Sequence, residues 1–354
     1  MLEKILDLSI YLKNGTSKYF NLIKETDDAK SSLSIDKIIN QCNYKKYEPG
    51  QNKEEVHRII ELCSKKNISI VPYYDPGYPH ILKNIYDPPL ILYVIGTLKL
   101  NPVSIGIVGA RKCTLYGKKV AFAFAERLAL VGCSIISGLA YGIDANAHLG
   151  ALKSNGHTVA VLGCGVDIPY PKRNRDIYDK IISQSGAIVS ELPPGTGIRK
   201  HNFPLRNRII SGLSSGIVIV EAAERSGALI TTKFALEEGR EVFSVPGPIT
   251  SALSVGTNRL IKISGAKLVT SIKDILEEFC LTDDKYFDKL HKTLPETDCR
   301  ILLNIPYNSD AAIDIDCISR MMDIPVKELL VKIFDYEKDG LICRIKGNKL
   351  YRIK

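Results

Sequence analysis

Between Ile105 and Gly117 the chain reads IGIVGARKCTLYG, a short apolar strand that turns into a helix through a glycine-bearing loop with Arg111 at its centre. Ser104 to Val108 have the apolar run of a buried strand, and Lys118 to Val131 carry apolar residues at helical spacing. Such a junction aims unpaired backbone N–H groups and the positive end of a helix dipole at whatever sits above it, and an anion is the natural occupant. Thr114 keeps a hydroxyl in the loop that can donate to a phosphate. A plain turn with a solvent-facing arginine uses the same residues. Gly106, Gly109 and Gly117 do not make G-x-G-x-x-G, and no G-x-x-x-x-G-K-[ST] stretch occurs. An anion site without a nucleotide signature points to a polymer of phosphates.

Three further stretches carry polar chemistry. SGLAYGIDANAH, Ser137 to His148, sets Asp144 and His148 four residues apart. Two ligands with no third make a weak metal site, so Asp144 reads as a helix cap and His148 as structural. LGCGVDIPYPKRN ends a strand in a Gly-Cys-Gly turn and presents Lys172, Arg173 and Arg175. PPGTGIRKHNFPLRNRIISGLS places Arg199, Lys200, His201, Arg206 and Arg208 around Phe203 with no acid between them. Cations that follow phosphates and a ring that accepts a base face are the composition of a single-strand track. A solvated charged face, with Phe203 in the core, is the competing interpretation.

The elements that must position these residues follow from periodicity. The runs SIGIV, CSIIS, TVAVLG, AIVSE, GIVIVEA, EVFSVPG and AKLVT alternate with helix-length intervals, which predicts an α/β doubly wound sheet. Its ligand crevice lies at the carboxyl ends of the strands, where the glycine-rich and basic segments fall. Residues 1–72 carry short amphipathic helical runs and read as a helical module; 73–280 hold the sheet, entered through a connector with Pro76, Pro79, Pro88 and Pro89. Residues 281–292 form a polar linker. Residues 293–354 read as helix, helix-turn-helix and a two-stranded ribbon around Lys346 to Asn348. The second helix of that pair, Pro325 to Tyr336, carries as many acids as bases, which suits a protein-docking module as well as a DNA reader.

At 354 residues with 45% hydrophobic and 25% charged side chains, the chain has ample core for two or three domains. A net charge of +9 favours an acidic partner. Nine cysteines without a C-x-x-C pair give neither a disulfide framework nor a zinc ribbon, so reduced thiols and a cytoplasmic location are expected. No apolar run reaches the length of a membrane span or signal core, and no metal or cofactor is expected.

Taken in order, VGARKCTLYG, SGLAYGIDANAH, AVLGCGVDIPYPKRN, FPLRNRIISGLS, VEAAERSGALITTKFALEEGREVFSVPG and GTNRLIKISGA resemble the bacterial DNA-processing protein A family, also called Smf. The resemblance covers essentially the whole chain. It implies a Rossmann-like central domain with an N-terminal sterile-alpha-motif-like module and a C-terminal winged-helix-like module. It also implies a cytosolic single-stranded DNA binder, without catalytic turnover, that loads a RecA-type recombinase during natural transformation. Carried over by motif, the DNA-contacting positions are Arg111 with Gly109 and Thr114, then Lys172, Lys200, Phe203, Arg206, Asn207 and Arg208. A homodimer and recombinase surface falls on Leu260, Ile261, Lys262 and Leu268, although any of these apolar residues can simply close the sheet's own core.

An enzyme remains beside this expectation. The fold also resembles nucleoside-monophosphate phosphoribohydrolases, whose PGGxGT-x-x-E loop carries a catalytic glutamate. Glu221 and Glu224 stand in the corresponding place, but the double-glycine phosphate cradle is missing, so a bound nucleotide would not be positioned for either acid.

Overall fold

A computed structural model of the chain describes residues 2–12, 50–281, 296–306, 312–338, 341–345 and 347–352. They belong to two compact units, Met1–Thr282 and Asp283–Lys354. The first opens with helices α1 (Leu2–Leu12) and α2 (Lys53–Lys65), strand β1 (Ser69–Pro72), short helix α3 (His80–Lys83) and strand β2 (Ile91–Gly96). Strands and helices then alternate: β3 (Ser104–Val108), α4 (Leu115–Leu130), β4 (Ser134–Ser137), α5 (Ile143–Lys153), β5 (Thr158–Val161), α6 (Arg175–Ser183) and β6 (Ala187–Ser190). The series continues with α7 (Asn202–Gly212), β7 (Gly216–Ile219), α8 (Ala228–Glu237), β8 (Glu241–Ser244), α9 (Val255–Lys262), β9 (Lys267–Leu268) and α10 (Lys273–Glu278).

All nine strands join one sheet in the order β1-β2-β6-β5-β4-β3-β7-β8-β9. β1 and β2 run antiparallel at one edge, and the remaining neighbours from β6 to β9 are parallel. Every residue of β3, β4, β5, β6 and β7 is buried, as strands covered on both faces require. Successive side chains alternate between the faces. Val108, Ile136, Val159, Ile217 and Ile219 meet Leu82, Ile209 and Ala235 from α3, α7 and α8. Ile105, Ile107, Ile135 and Val218 meet Ala121, Leu128, Ala147 and Ile275 from α4, α5 and α10 on the other side.

The helical segment expected over residues 1–72 is not a separate body where it is described, and residues 13–49 lie outside the described residues. Ile5, Leu6, Val56 and Ile59 pack with Ile91, Tyr93 and Ile188, so α1 and α2 extend the second face of the sheet. Buried Asp7 fastens the two helices by accepting from the backbone N–H of Gly50 at 2.7 Å and of Asn52 at 3.0 Å. Ser69–Pro72 also pairs along β2 as a strand, inside the stretch expected to be helical.

The linker expected at 281–292 lies outside the described residues except for Leu281. In the second unit, α11 (Glu296–Leu303), β10 (Ile313–Asp314), α12 (Ile315–Met322), α13 (Val326–Lys338), β11 (Ile342–Ile345) and β12 (Lys349–Arg352) surround a small core of Ile301, Ile318, Leu329, Ile333 and Leu350. Its three strands are ordered β10-β12-β11. The ribbon turns at Gly347 and Asn348, both at positive φ, while Lys346 lies outside the described residues. Outward on α13 stand Leu330, Val331 and Phe334.

Candidate nucleic-acid interface

The chain starts its parallel sheet at β3, moves outward through β4, β5 and β6, and returns to β7 on the other side of β3. The connections after β3 and β7 therefore diverge and leave a crevice at their carboxyl ends. Loop Gly109–Thr114 forms one lip. Its last residue is the N-cap of α4, where Thr114 Oγ1 accepts from Gly117 N at 3.1 Å. The α4 helix starts a turn earlier than periodicity predicts because the exposed Leu115 and Tyr116 do not mark its buried face.

The N-terminus of α4 already has an anion. Glu221, two residues beyond β7 and buried, accepts from Thr114 N at 2.9 Å and from Thr114 Oγ1 at 2.5 Å. Thr114 is thus committed within the protein rather than turned to a ligand, contrary to its expected phosphate role. Gly109 serves packing: a Cβ there would stand 2.6 Å from Ile143 Cγ1 and 3.0 Å from Glu221 O. Arg111 projects from the middle of this loop and is exposed.

Three other segments reach the same place. Ile143 N donates to Ala110 O at 3.3 Å, and a Cβ on Gly142 would meet Ala110 O at 2.3 Å, so the turn after β4 lies against the Arg111 loop. Buried Asn174, in the turn Lys172–Asn174, donates to Leu139 O at 2.8 Å and fixes Lys172 beside that turn. Phe203 lies in the first turn of α7, and the Arg111 guanidinium lies over its ring at 5.6 Å from the centroid. Tyr170 meets the same ring at 5.6 Å with a 44° tilt. Gly163 passes behind, where a Cβ would be 3.1 Å from the ring. Arg111, Phe203, Tyr170 and Lys172 therefore share one rim, with Arg199 and Lys200 exposed on the approach to α7. Among the described residues no carboxylate forms an ion pair with Arg111, Lys172 or Lys200. Tyr170 escaped the sequence reading because only its distance from Phe203 in space marks it.

Two of the expected cations face inward instead. FPLRNR is the opening of a helix rather than a loop, with Pro204 tolerated in its first turn, and helical spacing turns Arg206 and Arg208 away from solvent. Arg206 Nη1 donates to Gly138 O at 2.9 Å and also to Val161 O, bracing the ends of β4 and β5. Burial lowers its pKa to about 10, partly offset by Asp144. Arg208 is held by Asp87 at 3.1 Å and by Glu191 at 2.6 Å. Burial works against its charge, but Glu191 and then Asp87 outweigh that and raise its pKa. Neither guanidinium is free for a phosphate. Asn207 Nδ2 donates to Gly227 O at 3.3 Å and ties α7 to the start of α8.

Asp144 is not the cap of α5, since that position is Gly142; it lies in the first turn and accepts from Ala140 N at 3.4 Å. Burial raises its pKa while Arg206 lowers it. His148 is fully buried, and its pKa falls to about 3 through burial and then Arg206. Thr158 Oγ1 donates its proton to Ile135 O, so His148 Nδ1–H donates to Thr158 at 2.8 Å. Among the described residues no group of three or more His, Cys, Asp and Glu side chains could hold a metal ion. None of the described helices is long and apolar enough to cross a membrane.

On the far edge of the sheet, Leu268 of β9 is 50% exposed and Lys262 is exposed, whereas Ile261 is half-buried. Leu260 packs against the core beneath α7 and α8.

A doubly wound sheet whose switch-point loops carry cations and an aromatic ring, but no nucleotide cradle, defines the class of protein. The family model described as DNA recombination-mediator protein A matches residues 69–280, and the chain belongs to that family. It is 39% identical over 299 residues to Protein Smf of Escherichia coli, covering 81% of this chain and 78% of that protein. It is 46% identical over 229 residues to the DNA processing protein DprA of Streptococcus pneumoniae, covering 64% and 78%. The solved structure of DNA processing protein A from S. pneumoniae superposes with a TM-score of 0.65 at 37% identity, over 78% of this chain and 98% of that one. DNA processing protein A from Helicobacter pylori, solved to describe its single-stranded DNA binding mode, gives a TM-score of 0.55 at 29% identity over 60% and 95%.

Proposed function

We propose that this protein binds single-stranded DNA on the rim formed by Arg111, Lys172, Lys200 and Phe203, protects incoming strands and loads a RecA-type recombinase onto them. Arg111 and the lysines hold phosphates, while Phe203, flanked by Tyr170, takes a base face. The observation that carries this is the placing of an exposed cation on the stacking ring, Arg111 over Phe203 at 5.6 Å. The binding mode of the H. pylori relative supports it. Leu268, Lys262 and Ile261 form the surface for a second copy and for the recombinase, and Leu260 supports that surface from beneath. The protein acts without turnover: Glu221, the acid that a phosphoribohydrolase would need, is spent on Thr114, and Glu224 is exposed away from any glycine cradle.

Titration with single- and double-stranded oligonucleotides tests the binding half, with clear preference for single strands expected. Loading is tested on strands pre-coated with single-strand-binding protein. Substoichiometric protein is expected to speed recombinase assembly, and Lys262→Glu to weaken that effect while sparing DNA affinity. Inhibition at every ratio would leave a strand protector only.

A further inference from the structure

We infer that Glu221 is a positioning residue that holds the Arg111 loop at both ends and, with the same carboxylate, keeps free phosphate out of the crevice. Its backbone oxygen accepts from Ala110 N at 2.8 Å, one residue before Arg111. Its carboxylate accepts from Thr114 N at 2.9 Å and from Thr114 Oγ1 at 2.5 Å, three residues after it. The intervening Arg111–Cys113 stretch therefore hangs between two anchor points, Ala110 and Thr114, both bonded to one residue just beyond β7. Glu221 is only 4% exposed, so these charge-assisted bonds are little weakened by water.

The surrounding sequence makes room for this carboxylate. A Cβ on Gly117 would come within 2.5 Å of Glu221 Oε2, so a larger side chain at position 117 would displace the carboxylate. In a doubly wound sheet this helix terminus, at the point where strand order reverses, is where a nucleotide phosphate is ordinarily received. Here a fixed internal carboxylate sits in that seat, and a phosphate entering it would meet a buried negative charge. An anion can then approach this loop from outside, at Arg111. Glu221 thus selects a strand lying over the rim against a nucleotide lying in the crevice.

The positioning half of this inference rests on the proposed role of Arg111; the exclusion half does not. Glu221→Ala removes the anion, and Glu221→Gln keeps the shape but meets two donors with a single acceptor oxygen. Each variant is measured for thermal unfolding with and without inorganic phosphate and nucleoside monophosphate, and for single-strand affinity, beside Arg111→Glu. Glu221→Ala is expected to gain a phosphate-dependent rise in Tm that the parent protein lacks. Both variants are expected to bind single strands roughly tenfold more weakly, by release of the loop. Glu221→Asp, which restores the charge, is expected to recover phosphate exclusion.

Folded variants that ignore phosphate and bind strands normally would overturn the inference. If Glu221→Ala fails to fold, folded Glu221→Gln, which also lacks the charge, answers both halves through its own phosphate-dependent Tm and its strand affinity. A gained phosphate response, together with an Arg111→Glu variant that binds strands normally, would uphold exclusion while removing the Arg111 reading.

Discussion

The Arg111 guanidinium covers the Phe203 ring at 5.6 Å from the centroid, so the exposed cation and the aromatic face occupy one spot on the rim. A pair of this kind in a partly exposed place is worth only about 0.5 to 1 kcal/mol, little enough for the proposed exchange with a base on the ring and a phosphate on the guanidinium. Phe203→Ala is expected to cost roughly 1 to 3 kcal/mol of single-strand affinity and much less for duplex, whose bases are already stacked. Paired titrations check this. Equal losses on both substrates, accompanied by a lowered Tm, would place Phe203 in the core with Gly163 and Tyr170.

Arg208 is expected to matter for stability and not for DNA. Removing it in Arg208→Ala strands Glu191, whose carboxyl burial already pushes up in pKa against the pull of Arg208. Breaking a buried pair in this way costs about 3 to 5 kcal/mol. Denaturant unfolding should show that loss, while single-strand affinity at low temperature stays that of the parent. A stable variant that no longer binds would return Arg208 to the interface.

Arg206 spans the ends of two strands by donating from Nη1 to both Gly138 O and Val161 O, and a lysine, whose ammonium sits one bond nearer the backbone, does not reach both. Arg206→Lys is therefore expected to lose roughly 1.5 to 3 kcal/mol of stability, the range for hydrogen bonds to a charged group. A phosphate-contacting arginine would tolerate the same change with little loss of stability and a modest loss of affinity. Unfolding and binding curves on one preparation distinguish the two.

Glu238 carries a pH dependence that belongs to the fold alone. Burial pushes its carboxyl from 4.5 to about 7, opposed by the Ser211 hydroxyl that donates to it and by Arg240. Through this window the folded protein keeps a proton that the unfolded chain has released. Stability is therefore fully present below about pH 4.5 and declines as pH rises toward 7. One proton sets a ceiling of about 1.4 kcal/mol per pH unit, and solvent at the half-buried carboxyl keeps the slope below it. Glu238→Gln is expected to flatten the decline of Tm over this range, and an unchanged decline would assign the slope to other groups.

Much of this fold is legible in the sequence, because fully covered parallel strands need uninterrupted apolar runs and those runs are plain from SIGIV to AKLVT. Arg111 is legible for the same reason: the loop that follows a central strand must open at the crevice. The interior fate of Arg206 and Arg208 is not. Arg208 finds Asp87 across 121 residues and Glu191 across 17, and a run of bases without adjacent acids gives no sign of either. Glu221 is likewise 107 residues from Thr114, so the helix terminus looks vacant until the sheet brings β7 beside β3. β1 reads as the tail of a helical module because only its pairing with β2 makes it a strand.

The salt dependence of single-strand binding in the parent protein and in Arg111→Glu tests the central claim most directly. If Arg111 holds a phosphate on the rim, the plot of log affinity against log salt loses about 0.7 of its slope in the variant, the share of one neutralised phosphate, and affinity collapses at low salt. A folded Arg111→Glu protein with the parent's slope and affinity would contradict the account and move the strand to another face of the sheet.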